Sequence, residues 1–376
     1  MSNSQNLIET PNFNRISNLE QLILQGCTRL SKIHASLGNL KQLIRLDLNG
    51  CKFLESLPHK INLESLEVFI LSGCSRLKKF PEIMGNMPRL SELYLNETAI
   101  KDLPLSVEHL TGLVKLDLRD CKNLSSLPNV NCRFSSLKTL TLSGCSKLDE
   151  LPEHFGNLEG LEELDVSGTA ITGLPSSVVL LKNLQVLSLR GCEGLSSKSS
   201  NKLLSFSLMR RNPDPMGTLL HTLSSLCSMT NLDLSYCNLQ AIPDVLGRLP
   251  SLQHLNLTGN NFVCFPKSII QLSNLQEFFF NGCTVLRSVP ELPLNIKRIC
   301  ANGCTSLETL SVRREDDFHP TFRLLNCIKL IDNQAYGDIV LTMLRRFFQV
   351  SICPSWVIIQ YFRNTINVYS FLSYEW

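Results

Sequence analysis

The amino-acid sequence predicts an α/β solenoid of short parallel strands, and three observations carry that prediction. The first is a pattern: Leu137–Pro152, LKTLTLSGCSKLDELP, reads L-x-x-L-x-L-x-x-C-x-x-L-x-x-L-P. The second is recurrence: twelve matching segments begin 21 to 24 residues apart, except for one interval of 45. The third is that nine of the fifteen cysteines fall on one position of the pattern. Internal repetition at this period and with this consensus is the signature of a leucine-rich-repeat solenoid, a horseshoe with its parallel β-sheet on the concave face.

Each part of the unit has a physical reason. Leu140 and Leu142, two residues apart, describe a short strand with one buried face. Gly144-Cys145 turns the chain, Leu148 and Leu151 return to the core, and Pro152 closes the unit. Segments such as 36–43 (SLGNLKQL) and 106–113 (SVEHLTGL) place leucines at three-residue spacing. They are expected on the convex side as short helices or 3₁₀ turns. One unit cannot bury its own apolar residues, so the units must stack.

The repeats divide the chain. Strand cores begin at Leu19, Leu43, Leu66, Leu90, Leu113, Leu137, Leu161 and Leu184, then at Met229, Leu252, Leu275 and Ile296. The expected organisation is a lead-in at 1–18, eight repeats at 19–195, an irregular insertion or degenerate repeat at 196–228, four repeats at 229–311, and a C-terminal cap at 312–376. The insertion centre, 196–217, is rich in serine, carries Met209-Arg210-Arg211 and closes on Asn-Pro-Asp-Pro. It reads as an exposed loop, or more sharply as a partner-contact loop. Helical spacing of leucines and aromatics over 322–348 predicts a capping helix, and alternation over 367–373 predicts a strand. Little precedes the first strand, so the chain is expected either to be a fragment or to depend on a neighbouring domain at that end.

Composition narrows the function. The net charge is only +3 and no Lys/Arg cluster is interleaved with aromatics, so no nucleic-acid partner is expected. No apolar run reaches ~18 residues, so no transmembrane segment is expected. The first residues lack a basic n-region followed by an apolar h-region, so no secretory signal is expected either. The nine recurring cysteines are Cys27, Cys51, Cys74, Cys121, Cys145, Cys192, Cys237, Cys283 and Cys304, with Thr98, Thr169 and Asn260 at the same position of other repeats. That position turns inward as a ladder, and a thiol, small and apolar with a weak donor, suits a buried rung. No C-x-x-C pair occurs, so the cysteines read as structural rungs and not as metal ligands. So many thiols favour a reducing compartment, the cytoplasm or the nucleus. Sequons at Asn96 and Asn256 fall on or beside concave strand positions, where a glycan would block the face, and with that at Asn123 they read as accidental.

No phosphate-binding G-x-x-x-x-G-K-[ST], no G-x-S-x-G and no H-E-x-x-H occurs. The reading is therefore a non-enzymatic binding surface with no cofactor and no metal. In each L-x-x-L-x-L-x the residues between and flanking the last two leucines point to the concave face. The candidate protein-binding residues there are Arg45, Tyr94, Lys115, Arg119, Arg190, His254, Phe279 and Arg298. Interface hot spots favour aromatics and arginine, so Tyr94 beside Lys115 and Arg119, and Phe279 beside His254 and Arg298, are the expected anchors. Against this, the long cations can pair with Asp47, Asp117 or Asp165 across neighbouring strands, which is worth little at a surface.

The repeat dialect is narrower than the general consensus. L-x-L-x-G-C-[ST]-x-L-x-x-[LF]-P, with units ending T-A-I-x-x-L-P at Thr98–Pro104 and Thr169–Pro175, resembles plant TIR–nucleotide-binding–leucine-rich-repeat disease resistance proteins. The runs 256–275 and 288–311 are characteristic of that class, and 323–334 (RLLNCIKLIDNQ) resembles the start of its post-repeat domain. The resemblance covers roughly residues 15–335 and implies the recognition module of an intracellular immune receptor. Its partner would be a pathogen effector, a guarded host protein or the nucleotide-binding domain of a receptor. Two rivals remain: a substrate adaptor of a ubiquitin ligase, and a fragment of a TIR-containing NADase whose catalytic domain lies outside this sequence.

Overall fold

The computed structural model describes residues 2–129, 134, 136–195, 219, 221–311 and 320–331. The insertion at 196–217, the charge run at 313–317 and the chain beyond 331 lie outside the described residues. Two compact units divide at Cys192/Glu193. Each is a leucine-rich-repeat solenoid with a parallel sheet.

The first unit carries eight strands of three residues: β1 Gln21–Ile23, β2 Arg45–Asp47, β3 Val68–Ile70, β4 Glu92–Tyr94, β5 Lys115–Asp117, β6 Thr139–Thr141, β7 Glu163–Asp165 and β8 Val186–Ser188. Each pairs in parallel with the next without a register slip, so equivalent residues stack: Leu46 on Phe69, Leu93 on Leu116, Leu140 on Leu164. The second unit carries β9 Asn231–Asp233, β10 His254–Asn256, β11 Glu277–Phe279, β12 Arg298–Cys300 and β13 Thr321–Arg323, paired in the same way. The central residue of every strand except β1 is buried, and its two neighbours point outward, as the period of two requires.

Behind the sheets, 3₁₀ helices close about half of the repeats: Ala35–Asn39, Leu105–His109, Glu153–Asn157 and Ser176–Leu180 in the first unit, Asp244–Arg248 and Lys267–Gln271 in the second. In all but the first, a proline in extended conformation precedes the helix (Pro104, Pro152, Pro175, Pro243, Pro266). A proline there gives up no needed N–H and presets the entry angle. Elsewhere the back of the solenoid is extended, with Lys60–Ile61 paired to Glu82–Ile83 and Ser288–Val289 to Thr309–Leu310.

The predicted ladder is present. All nine recurring cysteines are fully buried, and the thirteen described cysteines are all thiols. The Cys51 thiol donates to the Leu24 carbonyl of the preceding repeat at 3.2 Å, Cys74 to Leu48 at 3.2 Å, Cys121 to Leu95 at 3.1 Å, and Cys145 to Leu118 at 3.2 Å. Asn260 serves the same place with two donors, to Leu234 O at 2.9 Å and Leu257 O at 2.8 Å. Just before the rung the chain takes a positive φ, met by glycine in most repeats but by Glu97, Asp120, Tyr236 and Asn326 in others.

Both ends differ from expectation. The lead-in forms a partial coil against the first repeat. Asn3 N–H donates to Gln25 O at 2.7 Å, Ser31 N–H to Ile8 O at 2.8 Å, and Phe13, buried, donates its N–H to the Ser36 hydroxyl at 2.8 Å. At the other end, the segment from 322 opens as strand β13 and not as a capping helix. Phe322, Leu324 and Cys327 have the spacing of Leu140, Leu142 and Cys145, and the Cys327 thiol donates to Ala301 O at 3.0 Å as a further rung. A helical period and this repeat period coincide over so few residues, and the pairing with β12 decides between them. A short α-helix, Ile328–Ile331, begins only after that rung.

Burial pushes the Cys51 and Cys145 thiols up to about 12 and that of Cys283 to about 11. Below pH ~9 these thiols are protonated in the folded and unfolded chain alike, and the ladder contributes fully. Above it the unfolded chain releases protons that the folded chain keeps, so stability falls as pH rises toward about 11, by ~1 kcal/mol per such thiol at pH 10. Thermal melts from pH 7 to 11 test this: Cys145→Ala is expected to be less stable at pH 7, by ~1 kcal/mol for the buried carbonyl that keeps only one of its two donors, but to lose less further stability at high pH. Conversely, Glu97→Gly, which relieves a positive φ at an exposed position, is expected to raise stability by ~1 kcal/mol in denaturant titration.

Candidate protein-binding face

The alternation that buries the central leucine of each strand makes the other face of the sheet a grid. The first residue of each strand forms one row and the third residue a second. Parallel strands stand ~4.8 Å apart, so residues in a row are side-chain neighbours. The sequence candidates Arg45, Lys115, His254 and Arg298 lie in the first row, Tyr94 and Phe279 in the second, and Arg119 and Arg190 two residues beyond their strands.

On β4 and β5 the structure brings Tyr94 and Lys115 together, the ammonium 5.3 Å from the ring centroid. The Tyr94 hydroxyl donates to Glu92 at 2.9 Å. Burial and then the Glu92 carboxylate raise the Tyr94 phenol above its ordinary value, since each disfavours the phenolate. Arg119 turns elsewhere: its guanidinium holds Asp117 of its own strand at 2.9 Å, and Arg45 holds Asp47 likewise at 3.1 Å. The expected pairing across strands is thus replaced by pairing two residues apart on one strand. The reason is local. Each aspartate also accepts the N–H two residues on, Asp47 from Asn49 at 3.1 Å and Asp117 from Arg119 at 3.0 Å. Asp165 and Asp233 make the same turn with Ser167 and Ser235. Asp47 and Asp117 are buried by this, so the two arginines neutralise charges the turn has already fixed. Arg190 is exposed at the equivalent place after β8.

In the second unit, Phe278 and Phe280 are fully buried in a cluster with Phe262 and Phe265, at ring-centroid separations of 4.9–5.2 Å. Their neighbour Phe279 is thereby forced outward, half-buried. His254 and Arg298 do not converge on it. Both converge on Glu277, with His254 Nδ1 at 3.1 Å from one carboxylate oxygen and Arg298 at 3.0 Å from the other. The sequence reading places Glu277 on the outward face but not among the anchors, although the register sets it directly between His254 and Arg298. It missed Arg323, because β13 was read as helix. Among the described residues, no group of three or more His, Cys, Asp or Glu is placed to hold a metal ion, and no helix is long and apolar enough to cross a membrane.

Three family models match in succession: leucine-rich repeats described as those of disease resistance protein RPS4B-like over residues 62–150, a leucine-rich repeat region over 116–232, and a leucine rich repeat over 221–285. Over 303 residues the chain is 38% identical to TMV resistance protein N of Nicotiana glutinosa, covering 80% of this chain and 25% of that protein. Over 336 residues it is 39% identical to disease resistance-like protein DSC1 of Arabidopsis thaliana, covering 88% and 26%. Its homologues are plant disease resistance proteins. They are of the TIR–nucleotide-binding–leucine-rich-repeat class to which the repeat dialect points. The chain spans about a quarter of the length of these relatives. Among solved structures, a leucine-rich-repeat protein of Leptospira interrogans superposes with a TM-score of 0.57 at 20% identity, over 90% of this chain and 92% of that one, which speaks for the fold alone.

The raised phenol of Tyr94 gives a direct test of the β4–β5 geometry. In absorbance titrations at 295 nm, the difference between the chain and Tyr94→Phe is expected to show a midpoint above ~10. Glu92→Gln, which removes the charge facing the hydroxyl, is expected to bring that midpoint down. An unmoved midpoint would show that the hydroxyl does not face Glu92 in solution.

Proposed function

We propose that this chain is the recognition module of a plant intracellular immune receptor, acting in the cytoplasm or nucleus by binding protein and not by catalysis. The observation that supports this most is the outward grid itself, on a chain whose homologues are disease resistance proteins. Within each unit, aromatic and basic side chains from successive repeats stand in register on the outer face of its sheet. Such a surface recognises a protein by shape and by a few anchors, with Tyr94, Lys115 and Phe279 the foremost. Arg45, Arg119 and Arg190 supply rim charge, and His254 and Arg298 frame Glu277.

The partner on this reading is a pathogen effector or a guarded host protein, and in the resting receptor the nucleotide-binding switch domain. An effector activates only by binding the open state more tightly than the restrained one, so the two partners must compete for, or respond to, the same solenoid. Restraint and recognition then belong to one equilibrium.

Affinity capture from challenged plant tissue, comparing the chain with a Tyr94→Ala/Arg119→Ala/Phe279→Ala variant, tests the proposal. Capture of a pathogen protein or a receptor switch domain, reduced at least tenfold in the variant, is the expected outcome. Equal capture by a variant of unchanged melting temperature would move the contact off this face.

A further inference from the structure

The second unit's sheet carries a charge pattern that says what kind of segment fits it. Of the arginines on or beside the strands, Arg45, Arg119 and Arg298 each hold a carboxylate of this chain. Arg323 on β13 is exposed, and among the described residues no carboxylate holds it. It lies in register with Cys300, one strand from Arg298 and two from Phe279. Burial raises the Cys300 thiol, and the positive charges of Arg323, in register with it, and of Arg298, on its own strand, oppose that rise. Glu277 is held on both sides by His254 and Arg298, so among the described residues Arg323 is an outward charge of β12–β13 that no carboxylate answers.

We propose that the outer face of β10–β13 takes an acidic segment of a protein partner, with Arg298 and Arg323 gripping one carboxylate side chain above Cys300 and Phe279 receiving an adjacent apolar residue. This deepens the proposed function and rests on its reading of the sheet as a protein-binding face. Guanidinium groups suit the occupant because they match a carboxylate in two parallel hydrogen bonds. The aromatic ring beside them supplies the apolar area that an isolated ion pair lacks. A nucleic-acid backbone fits poorly, since Glu277 sets a negative charge in the path of a run of phosphates. The same Glu277 gives orientation, repelling a second carboxylate from the β11 side and fixing the acidic residue over β12–β13.

The test pans a random heptapeptide phage library on the immobilised full chain and measures selected peptides by fluorescence anisotropy. The expected outcome is enrichment of Asp or Glu next to an aromatic or aliphatic residue. Affinity should fall at least tenfold in Arg298→Gln/Arg323→Gln, and selection should turn toward Lys and Arg in Arg323→Glu. Acidic peptides whose affinity survives the double variant overturn the inference, as do selected peptides without acidic bias. If such unbiased peptides are lost in Phe279→Ala, the protein-binding face stands and only its proposed acidic partner falls. If a chain with wild-type circular dichroism and melting temperature selects nothing, or selects peptides indifferent to every face variant, both readings fall.

Discussion

The strand-end carbonyl and the rung beneath it set the terms for the rest of the fold. When the chain leaves each strand it turns a main-chain oxygen, such as that of Leu24 or Leu118, into the core. There that oxygen accepts the N–H of its own turn, Cys27 or Cys121, and the thiol of the next repeat, Cys51 or Cys145. A buried carbonyl left short of partners costs more than a thiol hydrogen bond returns, so each repeat needs its successor for polar satisfaction as well as for apolar burial. This coupling keeps the register constant from strand to strand. Cysteine and asparagine meet the requirement, a thiol adding apolar volume and asparagine a second donor, whereas the Thr169 hydroxyl donates to Val166 O of its own turn.

A constant register is also what makes the outward face usable. With no slip between strands, residues of one row remain neighbours over many repeats, and a chain of local choices becomes a surface. The recurring aspartate at the third strand position shows the interplay. It is there to accept an N–H two residues on, and an arginine at either end of that turn is drawn to it. Some of the charge on this face therefore serves the turn. Tyr94 over Lys115, outward-facing Phe279 and exposed Arg323 answer to no such local demand, which is why they carry the functional reading.

Much was legible in the sequence because a repeat is read many times over. A misreading of one strand is corrected by the others, and the cysteine position announced itself by recurrence. The errors fell where that redundancy ended. At Phe322 a single unit had to be told from a helix, and the F-x-L-x-x-C spacing was the available signal. At the N-terminus Asn3, Thr10 and Phe13 imitate a repeat without its leucines, so only their hydrogen bonds reveal the coil. Aligning the repeats already places Glu277 on the outward face, whereas the choice of Arg119 for Asp117 over Tyr94 cannot be read that way, because it depends on rotamers.

The sequence by itself determined the solenoid, its strands, its ladder and the set of residues that face outward, since periodicity alone assigns a side chain to core or surface. Tertiary structure decided which of those outward residues touch. That depends on strand spacing and on competition among neighbours for the same charge: Glu277 holding both His254 and Arg298, Asp117 holding Arg119, Lys115 left over the ring of Tyr94. A period specifies direction, but contacts require distances, and only the stacked coils set them.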